Sequence, residues 1–106
     1  MDLFRFLKTP NIRDGLDSYR STPGAMLLDV RTPQEYGDGH IPGSRNVPLQ
    51  TLDRVHAVAE DLSVPLFVYC YSGARSRQAV QALRQMGYTN VTNIGGIANY
   101  SGKVER

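Results

Sequence analysis

The sequence has little of what staples or anchors a small chain. It holds a single cysteine, Cys70, in 106 residues. No intrachain disulfide is open to it, and a structural zinc site normally takes two or more cysteines. Long apolar runs are missing too. No stretch approaches the ~20 apolar residues of a membrane span. Residues 1–10 contain Phe4, Phe6 and Leu7 but no apolar run of signal-peptide length. A cytosolic protein with a reduced thiol is the expectation. Charge of one sign is also scarce: 12 Lys and Arg against 10 Asp and Glu leave a net charge of +2. The basic residues are scattered, apart from a short group near Arg75 and Arg77, so the clustered excess of a nucleic-acid groove is lacking. No internal repeat or low-complexity segment occurs.

What is present reads as one ordinary globular domain over residues 1–106. Hydrophobic residues make up 41% and charged residues 21%, well away from a disordered composition. Ile12, Leu16 and Tyr19 recur at helical spacing and predict a helix over residues 10–20, capped by Thr9 with Pro10 in its first turn, although Gly15 weakens it. Ser21-Thr22-Pro23-Gly24 then breaks the chain. Met26-Leu27-Leu28-Asp29-Val30 is the nearly continuous apolar run of a strand covered on both faces. Thr32-Pro33-Gln34-Glu35 has the character of a capping box, and Gly37 and Gly39 end the short helix it starts. Ile41-Pro42-Gly43 predicts a tight turn, and residues 46–49 an extended segment. A further helix is expected over residues 51–62, with Leu52, Val55, Val58, Ala59 and Leu62 on one side. Residues 66–69 are the clearest strand. Residues 76–86 are the clearest helix, with Ala79, Val80, Leu83 and Met86 inward and Gly87 at its left-handed end. Residues 91–94 form another strand, followed by Gly95-Gly96. Strands alternating with helices predict a parallel α/β sheet, whose chemistry sits at the carboxyl ends of the strands.

Cys70 falls at such a carboxyl end. Tyr71-Ser72-Gly73-Ala74-Arg75 leads from it into the helix expected from Ser76. A loop curling into a helix start turns backbone N–H groups inward, and the helix dipole adds partial positive charge. The result is an anion cradle with a sulfur at its base, a setting that favours the nucleophilic thiolate. Gly73 permits the turn, Arg75 brings a permanent cation, and Ser72 and Ser76 bring hydroxyls. The bland alternative is a small thiol packed under a surface loop.

Three motifs in order now carry a resemblance. Leu28-Asp29-Val30-Arg31 with Glu35-Tyr36 and Gly39-His40-Ile41-Pro42-Gly43-Ser44 resembles the front signature of the rhodanese family. Cys70-Tyr71-Ser72-Gly73-Ala74-Arg75-Ser76 resembles its active-site loop, and Gly95-Gly96 its rear signature. The match runs from about residue 25 to residue 100, and the resemblance implies a domain core over about residues 11–100. It implies a small α/β domain with a five-stranded parallel sheet flanked by helices; the additional strands would fall in residues 3–7 and 46–49. Many relatives carry a tryptophan shortly after the rear glycines; this chain has none, and Tyr100 is the expected replacement.

The activity implied is thiosulfate sulfurtransfer. Cys70 would take the outer sulfur of thiosulfate, or of a persulfide donor, as a persulfide and pass it to cyanide, a small thiol or a protein thiol. Tyr71, Ser72, Gly73, Ala74, Arg75 and Ser76 would bind the substrate. Neither step needs a metal or an organic cofactor, and neither nucleic acid nor membrane is an expected partner.

Several neighbouring residues are expected to be structural. Asp29 either faces the pocket or caps the next helix, and the cap is favoured. Arg31 is expected to tie down Glu35 or nearby loop carbonyls. His40 invites a Cys–His dyad, yet it lies in a tight Gly-His-Ile-Pro-Gly segment and resembles scaffold in the family. His56 is expected on a solvated helix face. Gly95-Gly96 lacks the spacing of a dinucleotide fingerprint. Two competing functions remain. A phosphatase or arsenate reductase on the same fold resembles C-x5-R, but the sixth position after Cys70 is Ser76, with Arg75 one place early and Arg77 one place late. A non-catalytic binding module typically loses the cysteine, which is present here.

Overall fold

The protein is described from a computed structural model, in which residues 9–106 are placed. Its centre is a sheet of four parallel strands: β1 (Met26–Asp29), β2 (Ser44–Asn46), β3 (Leu66–Cys70) and β4 (Val91–Gly96), in the order β2-β1-β3-β4. Every residue of β3 is buried, as a strand covered on both faces requires. Successive side chains alternate between the faces. Leu27, Phe67, Tyr69 and Ile94 pack toward helix α1 (Ile12–Ser21), whose Ile12 and Leu16 complete that layer. Leu28, Val68 and Cys70 pack toward the opposite layer, formed by α3 (Val55–Val58) and α4 (Ala74–Gln85) through Val55, Ala79, Val80 and Leu83. The reactive-thiol candidate therefore stands on the α4 face, at the carboxyl end of a central strand.

Local signals set most of these elements. Thr32 caps α2 (Pro33–Asp38) with the reciprocal bonds of a capping box: its hydroxyl accepts from Glu35 N–H at 3.2 Å, and the Glu35 carboxylate accepts from Thr32 N–H at 3.1 Å. Gly87 takes the left-handed conformation (φ 106°) just past α4, as expected.

Elsewhere the structure corrects the expectations. Four strands, not five, make up the sheet among the described residues; the strand expected over residues 3–7, with Phe4, Phe6 and Leu7, lies outside them. In the 46–49 segment only Asn46 belongs to a strand, and a 3-10 helix begins at Leu49. The long helix expected over 51–62 is instead this 3-10 stretch, Leu49–Arg54, followed by the single turn of α3. Thr51 leaves the helical region (φ −128°, ψ 40°), and so does Ala59 at the end of the turn (φ −138°, ψ 83°), where its carbonyl accepts from the Tyr88 hydroxyl. The cap of α1 is Asn11 rather than Thr9; its carboxamide oxygen accepts from Arg13 N–H at 3.0 Å and Asp14 N–H at 3.3 Å. Helix α4 starts at Ala74, two residues earlier than the apolar periodicity indicates.

Gly15, unfavourable in a helix by propensity, has a packing reason. Helix α1 lies so close to β4 that a Cβ on Gly15 would overlap the Ile94 side chain. Gly15→Ala should therefore lower stability by about 1–2 kcal/mol, because overpacking of about 1–3 kcal/mol outweighs the propensity gain of about 0.5–1 kcal/mol. Urea unfolding at constant m-value checks the sign; a higher midpoint in the variant would contradict it.

Candidate active site

Only Tyr71, Ser72 and Gly73 separate the end of β3 from the first residue of α4. So short a link demands a sharp reversal, and Gly73 supplies it at φ 103°, where L side chains are strained. The loop then rests on the backbone of β4. A Cβ on Gly96 would collide with the Tyr71 carbonyl, and Ala98 N–H donates to that carbonyl at 3.0 Å. The rear glycine is thus a matter of space: it lets one backbone lie on another.

Cys70 ends β3 with its residue 1% exposed. Gly73 N–H donates to its Sγ at 3.0 Å, and Ser76 Oγ lies 3.5 Å away. Burial pushes the thiol pKa up, but the Ser76 hydroxyl and the N–H groups of Ser76, Gly73 and Ser72 stabilise the thiolate, and the net displacement is downward. Ser76 itself is fully buried, with its Oγ 2.7 Å from Asn93 Oδ1 and 3.0 Å from Gly73 O. A hydroxyl has one proton to give. Asn93 accepts it while Cys70 is a thiol, and the sulfur competes for it once ionised.

Asn93 was not legible as a site residue. Its carboxamide oxygen accepts from both Ser76 and Gly95 N–H, the latter at 3.0 Å, and its amide reaches Gly73 O at 3.4 Å. One side chain therefore ties β4 to the loop and to the first turn of α4. The only signal was a polar residue within a short strand that ends in two glycines. The β3–β4 register also shifts here: Val68 pairs with Asn93, but Tyr69 pairs with Gly95.

The structure redistributes the charges. Arg75 turns its guanidinium to Glu35, with Nη1–Oε1 at 2.7 Å and Nη2–Oε2 at 3.0 Å, a bidentate pair about one-third exposed. Arg75 thereby clamps the loop to α2 instead of standing free over the sulfur. The pair pulls the Glu35 carboxyl down to about 2, helped by Thr32. Arg31 has Asp29, not Glu35, as its acid: Nη2 donates to Oδ2 at 2.7 Å and to the Gly39 carbonyl at 2.8 Å. Asp29 is fully buried and neither caps α2 nor lines the cradle; the Arg31 side chain occupies its carboxylate.

His40 is scaffold in its contacts. Its Nδ1 is 2.9 Å from Tyr36 O, its ring stacks on Tyr36 at 3.7 Å, and its Nε2 lies 4.0 Å from the Glu105 carboxylate. None of these partners belongs to the loop. His56 is exposed beside the Tyr88 hydroxyl. Tyr71 stands at the rim, 55% exposed, and Ser72 and Ala74 are also exposed. Tyr100, expected in place of tryptophan, packs on the α1 layer and donates to Lys103 O at 2.7 Å.

Comparison with known proteins agrees with this geometry. The family model of the rhodanese-like domain matches residues 13–103. The uncharacterized protein YqhL of Bacillus subtilis is 38% identical over 103 residues, covering 95% of this chain and 78% of that protein. Thiosulfate sulfurtransferase PspE of Escherichia coli is 39% identical over 71 residues, covering 66% of this chain and 68% of that protein. Among solved structures, one described as a rhodanese with anions from E. coli superposes with a TM-score of 0.72 at 34% identity, covering 77% of this chain and 98% of the other.

Two outcomes are expected. Ser76→Ala removes one donor from Sγ, so the Cys70 pKa should rise, and the alkylation rate against pH should show its midpoint moved upward. An unmoved profile would mean that the backbone N–H groups alone set the pKa. Glu35, depressed from 4.5 to about 2 in the folded state, contributes stability above its unfolded pKa and loses it as pH falls through the folded one. The stability difference between wild type and Glu35→Gln should hold constant above about pH 5 and fade toward about pH 2. Urea unfolding at several pH values measures it; a difference independent of pH would contradict the pairing.

Proposed function

The chain belongs to the family of rhodanese-like domains, and on that premise we propose that it is a sulfurtransferase working through a persulfide on Cys70. The observation that carries this reading is the placement of Sγ at the foot of the loop, 3.0 Å from the Gly73 nitrogen, with its pKa drawn down. A thiolate is the nucleophile in sulfur exchange.

With thiosulfate as donor, the thiolate forms a bond to the outer sulfur. The sulfur–sulfur bond of thiosulfate breaks, and its electron pair leaves with sulfite. Charge balances: a thiolate and a thiosulfate dianion become a persulfide anion and a sulfite dianion. The inward N–H groups of the loop then face an anionic outer sulfur in place of the thiolate, so they need no rearrangement between the two states. Cyanide, a small thiol or a protein thiol then takes that sulfur and returns Cys70 to the thiolate, in a double-displacement cycle. Tyr71, Ser72, Gly73, Ala74, Arg75 and Ser76 form the cradle. Arg75 serves it chiefly as a strut, through Glu35. The names of relatives such as PspE, a thiosulfate sulfurtransferase, support the donor class.

The phosphatase alternative fits less well. The position where C-x5-R enzymes carry arginine is Ser76, and its hydroxyl is buried against Asn93 and Gly73. Misplacement of donors by about 1 Å can cost about a hundred-fold, so a phosphoryl group is the poorer occupant.

Incubation with thiosulfate should add the mass of one sulfur atom to Cys70 and release one equivalent of sulfite. Cys70→Ser, which keeps the size and fold, should do neither. Sulfur uptake by that variant, or aryl phosphate hydrolysis by the wild type faster than its sulfite release, would overturn the proposal.

A further inference from the structure

A groove of about 670 Å³ runs from the reactive loop along α1. One wall carries Arg13 and Arg20 of α1; the other carries Asn99 and Tyr100, and Ser72 and Gly96 close the end at the loop. Ser72 is therefore shared by the groove and the sulfur cradle. The two arginines are seven residues apart, two helical turns or about 10 Å along one face. Leu16 lies between them along the helix, and Leu16 and Ile12 both line the groove. No Asp or Glu lines the groove among the described residues. Arg13 has no ion pair among them, and Arg20 has only an exposed contact with Asp17 at 3.8 Å, of a kind that contributes little. Both guanidinium groups are exposed to an incoming anion.

We propose that this groove is the acceptor subsite and that it takes a small thiol bearing free carboxylates, which Arg13 and Arg20 bind while its sulfur meets the loop beside Ser72. The proposal rests on the persulfide reading and specifies what discharges the persulfide. The acceptor thiolate forms a bond to the outer sulfur, and the bond from that sulfur to Cys70 Sγ breaks. Its electron pair returns to Sγ, and the acceptor departs as a persulfide anion; two negative charges stand on each side. A carboxylated thiol adds further negative charge, which the groove offsets with its two cations. A neutral thiol gains nothing from them.

The experiment loads Cys70 from thiosulfate and discharges it with mercaptosuccinate or with 2-mercaptoethanol, following the added sulfur by intact mass. Taking the ratio of variant to wild type for each thiol cancels the intrinsic reactivity of the thiol. Arg13→Gln with Arg20→Gln should slow discharge by mercaptosuccinate about ten-fold more than discharge by 2-mercaptoethanol, the scale of two exposed charge contacts. The single variants should share the loss, and they keep the comparison open if the double variant misfolds. Arg45→Gln with Arg54→Gln removes the same charge from exposed positions outside the groove, and should show no such preference. Equal slowing with both thiols, or the same preference in the control pair, would overturn the acceptor subsite. Failure of wild-type Cys70 to take up sulfur at all would instead overturn the persulfide reading beneath it.

Discussion

The site depends on one close backbone approach: the carbonyl of Tyr71 occupies the space that a Cβ on residue 96 would fill. That contact lets a three-residue link turn back over the carboxyl end of β3 and enter α4 at once. From it follow the left-handed Gly73, the inward N–H groups and the seat of Sγ. The thiol is buried among apolar groups, which by itself would raise its pKa and leave it inert. Four donors from the loop and from Ser76 reverse that sign. Reactivity here is a small difference between desolvation and preorganised hydrogen bonding, so it is sensitive to where the loop lies.

Two arginine–carboxylate pairs stand near the site, and one of them holds the loop directly. Asp29 and Arg31 form a buried pair at the end of β1, which also takes the Gly39 carbonyl. Its value is specific geometry more than net stability, since burying both charges costs much of what their attraction returns. Glu35 and Arg75 form the second pair, partly exposed, between α2 and the first turn of α4. Glu35 is also the reciprocal partner in the α2 capping box, so one carboxylate ends a helix and steadies the loop. Asn93 completes the frame from β4. The cradle is thus braced by α2 and β4, neither adjacent to it in sequence. The groove beside it is walled by α1 and the segment after β4, elements outside this brace. Changes there can alter which acceptor binds without disturbing the thiolate.

The sequence by itself determined what depends on neighbours along the chain. Short apolar runs placed three of the four strands, and helical apolar spacing placed α4. Thr32 and Glu35 marked the start of α2, and the lone Cys70 between a strand and a helix marked the candidate nucleophile. Each is a local signal, written within a few residues. Tertiary structure decided what depends on partners far apart in the chain. The motifs tied Arg31 to Glu35 or loop carbonyls and left Arg75 as a cation over the sulfur; only packing assigns Arg31 to Asp29 and Arg75 to Glu35. Asn93 looks like any polar strand residue until the register shift in β4 brings it to Ser76. Gly15 reads as a weakness of α1 until Ile94 lies against it. The expected helix over 51–62 broke although Leu52, Val55 and Ala59 turn to the core as its spacing indicates: Leu62 is exposed instead, and the backbone leaves the helical region at Thr51 and Ala59. Periodicity reports which side of a segment meets the core, whereas backbone conformation and charge pairing are settled by what that core places opposite.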